Sequence, residues 1–346
     1  MAEPKRINLA LQGGGAHGAF TWGVLDRLLE EDGIEIAAIS GTSAGALNGA
    51  AVKSGMITGG RQGARDNLDH LWSKVGAVTN DAMAAWISAL SPPSAVLANT
   101  IQSSPAYQAM DIAMRFLTPY TSPFPMENPL RRIVERFNYD TVCAVSGPDL
   151  YICATNVRTG KIRVFHGEEI SPDVILASAC LPTLFRAVEI DDQRTGEREA
   201  YWDGGYTGNP ALFPLYLPHL PDDLIVVNIN PLHREDVPRD AQAIQNRINE
   251  ISFNSSLLRE LRAINFVKRL IEDGKIQEGQ MKKVLVHMIA DDGLMNELSV
   301  ATKLVPNPAV LARLKTAGRV AADAFLNASF DDIGKRDSVD LRVMFD

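Results

Sequence analysis

The sequence predicts an α/β fold with a mostly parallel central sheet, and two observations carry this prediction. Short apolar or β-branched runs alternate along the chain with segments of helical periodicity. Several runs are apolar at consecutive positions, as expected for strands that are buried on both faces. The composition agrees, since 46% hydrophobic and 22% charged residues are typical of a globular protein.

The predicted elements follow from these two periodicities. Strands are predicted at residues 7–12, 34–40, 150–157, 162–166, 224–230 and 284–290. Helices are predicted at residues 19–31, 44–55, 62–76, 129–138, 172–180, 240–274 and 308–327. Asn128 and Ser171 each precede a proline, which is typical of a helix cap followed by proline in the first turn.

The domain organisation predicted for residues 1–346 is a single domain, because no internal repeat or low-complexity linker divides the chain. Its motif-bearing core covers about residues 5–215, and the helical segments 240–274 and 308–327 are expected to pack on that core. The first of these segments has apolar residues at helical spacing that are expected to cover the sheet, with a dimer interface as the alternative. They are Ile244, Ile248, Ile251, Leu258, Leu261 and Ile264. The sequence predicts no particular oligomeric state.

Charge and cysteine content exclude several classes of protein. A net charge of −8 with no long basic block argues against a nucleic-acid partner. The 3 cysteines form no C-x-x-C pair, which predicts reduced thiols and no metal site. No secretory signal and no membrane-spanning apolar run is visible, so we expect a cytoplasmic protein with at most peripheral membrane contact.

The least regular segment, 80–127, is rich in methionine, proline and aromatic residues. It is a candidate lid or lipid-contacting surface, and the alternative is that its short helices pack on the core.

The glycine-rich turn in "LALQGGGAHGAF" allows two interpretations. Gly13, Gly15 and Gly18 fit the G-x-G-x-x-G spacing of a dinucleotide-binding loop, but the same turn could direct backbone N–H groups at an oxyanion. A dinucleotide site needs an acidic residue near the end of the second strand. Glu35 stands at the start of that strand instead, which disfavours a nucleotide-dependent oxidoreductase.

A second motif suggests a serine nucleophile. Residues 41–45, "GTSAG", fit G-x-S-x-G between a predicted strand and a predicted helix, where a tight turn presents the Ser43 hydroxyl. The alternative is that Ser43 only caps the helix. None of the six histidines stands in a context that marks it as a triad base. Asp203 is the better candidate, because it follows a strand-like segment and precedes Gly204-Gly205, although Asp-Gly is also a hairpin signal.

Together these motifs resemble those of the patatin-like phospholipases. The matching segments are "GGGAHG" (13–18), "GTSAG" (41–45), "ASACLP" (177–182) and "DGG" (203–205) followed by Asn209-Pro210. All occur in the family's order, and they cover about the first 210 residues.

The resemblance implies a three-layer α/β/α acyl hydrolase with a Ser-Asp dyad and with no metal or cofactor. Ser43 would be the nucleophile, Asp203 the base, and the turn at Gly13, Gly14 and Gly15 the oxyanion hole. Further glycines would support the motifs, namely Gly18, Gly41, Gly45, Gly204 and Gly205. The expected substrates are phospholipids, lysophospholipids or other fatty-acyl esters. Long acyl chains would need an apolar channel, and the segment 80–116, with Trp86 and Met110, is predicted to form part of its wall.

One position departs from the family pattern, and two alternatives share the fold. Many relatives carry Lys or Arg where this sequence has His17, which is a candidate for substrate contact. Ser178 and Cys180 are expected to be packing residues. The alternatives to hydrolysis are acyl transfer and a non-hydrolytic lipid-binding regulator, but the presence of both Ser43 and Asp203 argues against a degenerate site.

Overall fold

The computed structural model describes residues 3–77, 127–239, 241–277 and 279–345, together with 96, 100–105, 108 and 118–121. Most of the segment 80–127, including Trp86 and Met110, lies outside the described residues. Its roles as a lid, a lipid contact and a channel wall stay predictions.

A central eight-stranded sheet organises the described part of the chain. Its strands are β1 (Lys5–Leu11), β2 (Ile34–Gly41), β3 (Asp149–Asn156), β4 (Ile162–His166), β5 (Val188–Asp192), β6 (Glu197–Asp203), β7 (Asp223–Val227) and β8 (Leu285–Ile289). The order is β5-β6-β3-β2-β1-β7-β8, with β4 also paired to β3. Strands β1, β2, β3, β7 and β8 pair in parallel, whereas β4, β5 and β6 pair antiparallel. The predicted mostly parallel sheet is therefore confirmed.

Helices flank this sheet. They are α1 (Gly18–Leu28), α2 (Ala44–Gly76), α3 (Arg131–Val134), α4 (Tyr139–Val142), α5 (Pro172–Ser178), α6 (Ala241–Glu272), α7 (Asp292–Glu297), α8 (Val300–Leu304), α9 (Pro308–Ser329) and α10 (Leu341–Phe345). Non-helical backbone at Gly59 and Gly60 interrupts α2, which agrees with the two separate helices predicted at 44–55 and 62–76.

Two hydrophobic cores lie on opposite faces of the sheet. Because successive strand residues point to opposite faces, Leu11 of β1 packs in one core with Phe20 of α1 and Leu314 of α9. Its neighbour Ala10 packs in the other core with Leu261 of α6. Helices therefore cover both faces, and the three-layer α/β/α arrangement is confirmed.

The largest differences from the predicted elements occur at the edge of the sheet. β5 was not predicted and β6 only in part, because charged residues interrupt both strands and leave no continuous apolar run. The predicted helix at 129–138 is wrong in extent. Only Arg131–Val134 is helical, and the extended backbone of Asn138 (φ −79°, ψ 97°) starts α4 instead.

Helix α6 divides into two parts with different surroundings. Leu257, Leu261 and Ile264 are buried against the sheet. Ile244 and Ile251, in the other half, are 42% and 55% exposed. The expected single stripe over the sheet is therefore wrong for the first half of the helix.

Helices α1 and α9 cross at two glycines that bring their backbones into close contact. A Cβ atom added to Gly318 of α9 would lie 2.0 Å from the carbonyl oxygen of Phe20, and one added to Gly23 of α1 would lie 1.9 Å from that of Lys315. No side chain fits between the two helices at this crossing.

Replacement of Gly318 by alanine should lower the free energy of unfolding by about 1–3 kcal/mol, the usual cost of overpacking. Gly293→Ala is the matched control, since it adds a methyl group to helix α7 with its nearest neighbour at an ordinary 3.5 Å. Chemical denaturation of both variants measures the difference. Equal effects would contradict the close contact between α1 and α9.

Candidate active site

Ser43 occupies the sharp turn between β2 and α2. It is the only described residue other than glycine with a positive φ, at 55° with ψ −118°. Its backbone N–H donates a hydrogen bond to Ser178 Oγ at 2.8 Å, and Ser43 is 9% exposed to solvent. A serine in a strained strand-to-helix turn is the arrangement of a nucleophile elbow. Ser178 therefore has a role beyond packing, because its hydroxyl holds the backbone of the elbow.

Close backbone contacts fix the elbow to its neighbours. A Cβ atom added to Gly45 would lie 2.1 Å from the carbonyl oxygen of Leu11, so only glycine lets α2 approach β1 at this point. Thr42 donates through its N–H to the same Leu11 carbonyl at 3.2 Å and through Oγ1 to the Gly208 carbonyl at 2.7 Å. The elbow is thereby joined both to β1 and to the loop after β6.

Strand register brings Asp203 to the level of Ser43. Gly41, the last residue of β2, pairs with Ile152 of β3. Two residues further along β3, Ala154 pairs with Asp203, the last residue of β6. Ser43 likewise stands two residues beyond Gly41, so both groups lie at the same height on the sheet.

The Asp203 carboxyl is buried and has few partners. The residue is 4% exposed, and Oδ1 accepts a hydrogen bond from the Gly205 N–H at 2.7 Å. Burial raises the pKa of Asp203 to about 7, while hydrogen bonds from Gly205 and from the Ser43 side chain act in the opposite direction. A carboxyl group with a pKa near neutrality, on the same cavity as a serine hydroxyl, is suited to act as a general base.

The glycine turn lies beside Ser43, but its three N–H groups are not equivalent. Gly13 donates through its N–H to Asn209 Oδ1 at 2.6 Å, so this group is not available to an oxyanion. The N–H groups of Gly14 and Gly15 donate no hydrogen bond within the described part of the chain. Of the three glycines predicted to form an oxyanion hole, only Gly14 and Gly15 have N–H groups without a partner among the described residues.

A buried network of amide side chains supports this turn from below. Asn230 Nδ2 donates to the Gly13 carbonyl at 2.9 Å and to Gln12 Oε1 at 3.1 Å. Gln12 Nε2 donates to the Asn209 carbonyl and to Asn254 Oδ1, each at 3.2 Å. Sequence reasoning missed this network, and its one sequence signal is that Asn228 and Asn230 follow the apolar run of β7.

Ser43, Asp203 and the glycine turn open into a cavity of about 740 Å³. Helix α2 and the segments before α3 and after α5 supply apolar lining residues, including Leu47, Trp72, Val75, Leu130, Leu184 and Phe185. Helices α6 and α8 supply polar ones, including Gln245, Asn246, Asn249, Glu250 and Lys303. The cavity lies beside β1, where the sheet order changes direction, the usual place for a ligand site in an α/β fold.

His17 lies behind the turn and is not among the described residues that line the cavity. It is 1% exposed, and its Nε2 lies 2.7 Å from Thr302 Oγ1. Burial holds the pKa of His17 well below its usual range, so the ring is uncharged at neutral pH. The prediction that His17 contacts the substrate is corrected accordingly.

The remaining motif glycines surround the two catalytic candidates. Gly18 begins α1, Gly41 ends β2, and Gly204 and Gly205 form the turn after Asp203. No histidine lines the described cavity, which agrees with a base other than histidine. Glu35 is paired with Arg6 at the start of β2, a position that does not suit a ribose contact.

A family model described as "Patatin-like phospholipase" matches residues 9–216. The chain is also similar to VipD from Legionella pneumophila, with 16% identity, a TM-score of 0.42, and coverage of 94% of this chain and 67% of that one. For ExoU in its heterodimeric complex with SpcU from Pseudomonas aeruginosa, the identity is 16%, the TM-score 0.25 and the coverages 96% and 62%. This chain thus spans about two thirds of the length of each. No curated protein matches it significantly.

Among the described helices, none combines the length and the apolar character needed to cross a membrane.

The raised pKa of Asp203 predicts a pH-dependent cost to stability. Between pH 3.8 and about 7 the unfolded chain releases the proton while the folded protein retains it, so stability falls as pH rises through this window. The free energy of unfolding of Asp203→Asn should therefore rise relative to that of wild type between pH 5 and pH 8. The expected change in this difference is about 2–3 kcal/mol.

Denaturant unfolding at the two pH values measures this difference. Asp191→Asn, at an exposed carboxylate of β5, is the control and should show no such change. A pH dependence of Asp203→Asn identical to that of wild type would contradict the buried, proton-retaining carboxyl.

Proposed function

Because this chain belongs to the patatin-like phospholipase family, we propose that it is a lipid acyl hydrolase that cleaves carboxylic esters through an acyl-enzyme on Ser43. The observation that carries the proposal is that the buried Asp203 carboxyl and Ser43 lie on one cavity, beside a glycine turn with N–H groups that lack partners among the described residues. Nucleophile, base and oxyanion donors are the three parts that acyl transfer requires.

In the first step the Asp203 carboxylate accepts the Ser43 hydroxyl proton as Oγ attacks the ester carbonyl carbon. The carbonyl oxygen becomes an oxyanion, which the N–H groups of Gly14 and Gly15 stabilise. Collapse of this intermediate breaks the ester bond. The departing alkoxide takes the proton from Asp203 and leaves as an alcohol, with the acyl group on Ser43.

In the second step a water molecule replaces the alcohol. Asp203 accepts a proton from this water as the oxygen attacks the acyl carbon, and the same N–H groups hold the new oxyanion. Collapse returns the proton to Ser43 Oγ and releases the carboxylic acid. An alcohol in place of water would give acyl transfer, which stays an alternative on the same acyl-enzyme.

The two sides of the cavity support a lipid substrate. The apolar side residues, among them Trp72 and Phe185, suit a fatty-acyl chain. The polar side residues on α6 and α8 suit the alcohol portion of the ester. The placement of Ser43 and the buried Asp203 carboxyl on the same cavity argues against a purely lipid-binding regulator.

Ser43→Ala and Asp203→Asn should each lower kcat/KM for p-nitrophenyl esters and phospholipid by at least ~10³-fold, because each removes one member of a catalytic unit. A fluorophosphonate probe should label wild type at Ser43, as read by peptide mass spectrometry. Ser255→Ala is the matched control and should leave both readouts unchanged. Full activity or labelling in Ser43→Ala would refute the assigned nucleophile.

The pH profile of hydrolysis should report the Asp203 pKa of about 7. With an uncharged ester, kcat/KM should fall tenfold for each pH unit below this value, since the protonated carboxyl cannot accept the serine proton. Stopped assays from pH 5 to pH 9 measure the profile. A kcat/KM that stays constant from pH 7 down to pH 5 would contradict Asp203 as the titrating base.

A further inference from the structure

Lys303 of α8 lies on the cavity wall next to the glycine turn. Helix α8 packs against the turn formed by Gly15–His17, and Thr302 on the same helix contacts His17. Lys303 lines the same cavity as Ser43 and Gly14. Sequence reasoning missed this residue, because 260 positions separate it from the serine.

The ammonium group of Lys303 is held close to the turn by a single amide. Its Nζ donates to Asn230 Oδ1 at 2.9 Å, and Asn230 Nδ2 donates to the Gly13 carbonyl, also at 2.9 Å. A Cβ atom built on Gly14 would lie 3.7 Å from the same Asn230 Oδ1. Lys303 therefore places a positive charge beside the glycine turn, one amide side chain away from Gly13.

This charge has no ionic partner within the described part of the chain, where no carboxylate oxygen lies within 4.0 Å of Nζ. Glu250 contributes a favourable charge from α6, but it is paired with Arg234 at 2.6 Å and with Arg247 at 3.2 Å. Burial lowers the pKa of Lys303 to about 8, and the positive charge of Arg234 acts in the same direction. The side chain is still a cation at neutral pH.

A half-buried ammonium with three donors and one neutral acceptor favours an anion at its free positions. Resting on the proposed function, we infer that Lys303 is a specificity-determining residue that binds a phosphate group on the alcohol portion of the acyl ester. The phosphate belongs on the alcohol portion because the other side of the cavity is apolar. Lys303 then selects anionic acyl esters over uncharged ones.

Direct binding tests this inference without requiring turnover. Octyl phosphate and octanol, both below their aggregation limits, are titrated by calorimetry into wild type and variants. Lys303→Met and Lys303→Gln should weaken the binding of octyl phosphate at least tenfold and the binding of octanol less than twofold. Lys303→Arg should retain binding within about threefold, and Lys161→Gln, at an exposed turn, should have no effect. If Lys303→Met fails to fold, Lys303→Gln still tests the inference, because its side-chain amide can donate a hydrogen bond to Asn230.

The inference would be overturned if the Lys303 variants lost equal affinity for octyl phosphate and octanol. It would also be overturned if Lys303→Arg lost as much affinity for octyl phosphate as Lys303→Gln. Inorganic phosphate titrated in parallel separates the sources of the anion. Tighter binding of inorganic phosphate than of octyl phosphate would assign the position to free phosphate and overturn the lipid assignment.

Hydrolysis provides the second arm. Lysophosphatidic acid and monoacylglycerol of the same chain length differ only in the phosphate group, so the ratio of their kcat/KM values isolates its contribution. Lys303→Gln should lower this ratio at least tenfold, whereas an equal loss on both substrates would overturn the inference. A wild type that hydrolyses neither ester contradicts the proposed function, and octyl phosphate binding then still decides the role of Lys303.

Discussion

Burial of one carboxyl group, that of Asp203, is the constraint on which the site depends. In water an aspartate is a weak base toward a serine hydroxyl, and burial at the end of β6 raises its pKa to about 7. The same burial penalises the ionised form of Asp203, so the environment that suits it to be the proposed base also lowers the stability of the folded protein above pH 7. The surrounding sheet and its two cores offset this cost. Hydrogen bonding by Gly205 and Ser43 keeps the pKa of the carboxyl from rising further.

The glycine turn depends on a different kind of support. Neutral amide side chains hold it in place. The Gly13 N–H donates a hydrogen bond to Asn209 Oδ1, and Asn230 Nδ2 donates one to the Gly13 carbonyl. These bonds fix the orientation of the turn and leave the N–H groups of Gly14 and Gly15 without a partner among the described residues. Because the amides carry no charge, they position the turn without competing with a developing oxyanion.

The parts of the site that could be predicted from sequence are those defined by local backbone geometry. The elbow at Ser43 and the Asp-Gly turn at Asp203 each follow from a few consecutive residues, as do the long buried strands. The contacts of Ser178, Asn230 and Lys303 could not be predicted, because each joins residues more than 70 positions apart through side chains of ordinary type. Strands β5 and β6, at one end of the sheet, and the exposed half of α6 differ from the sequence predictions because exposed and charged positions there hide the usual periodicity.

The position of β1 in the sheet has a consequence for the order in which the site is assembled. β1 lies between β2, which follows it directly, and β7, which is joined after more than 200 residues. Serine and aspartate can be in place once β6 has paired, but the turn beside them gains its Asn230 support only when β7 has docked, and its cation only when α8 follows. A chain emerging from the ribosome thus carries the Ser43 elbow long before it carries the side chains of Asn230 and Lys303 that support the glycine turn, so the turn is completed only near the end of synthesis.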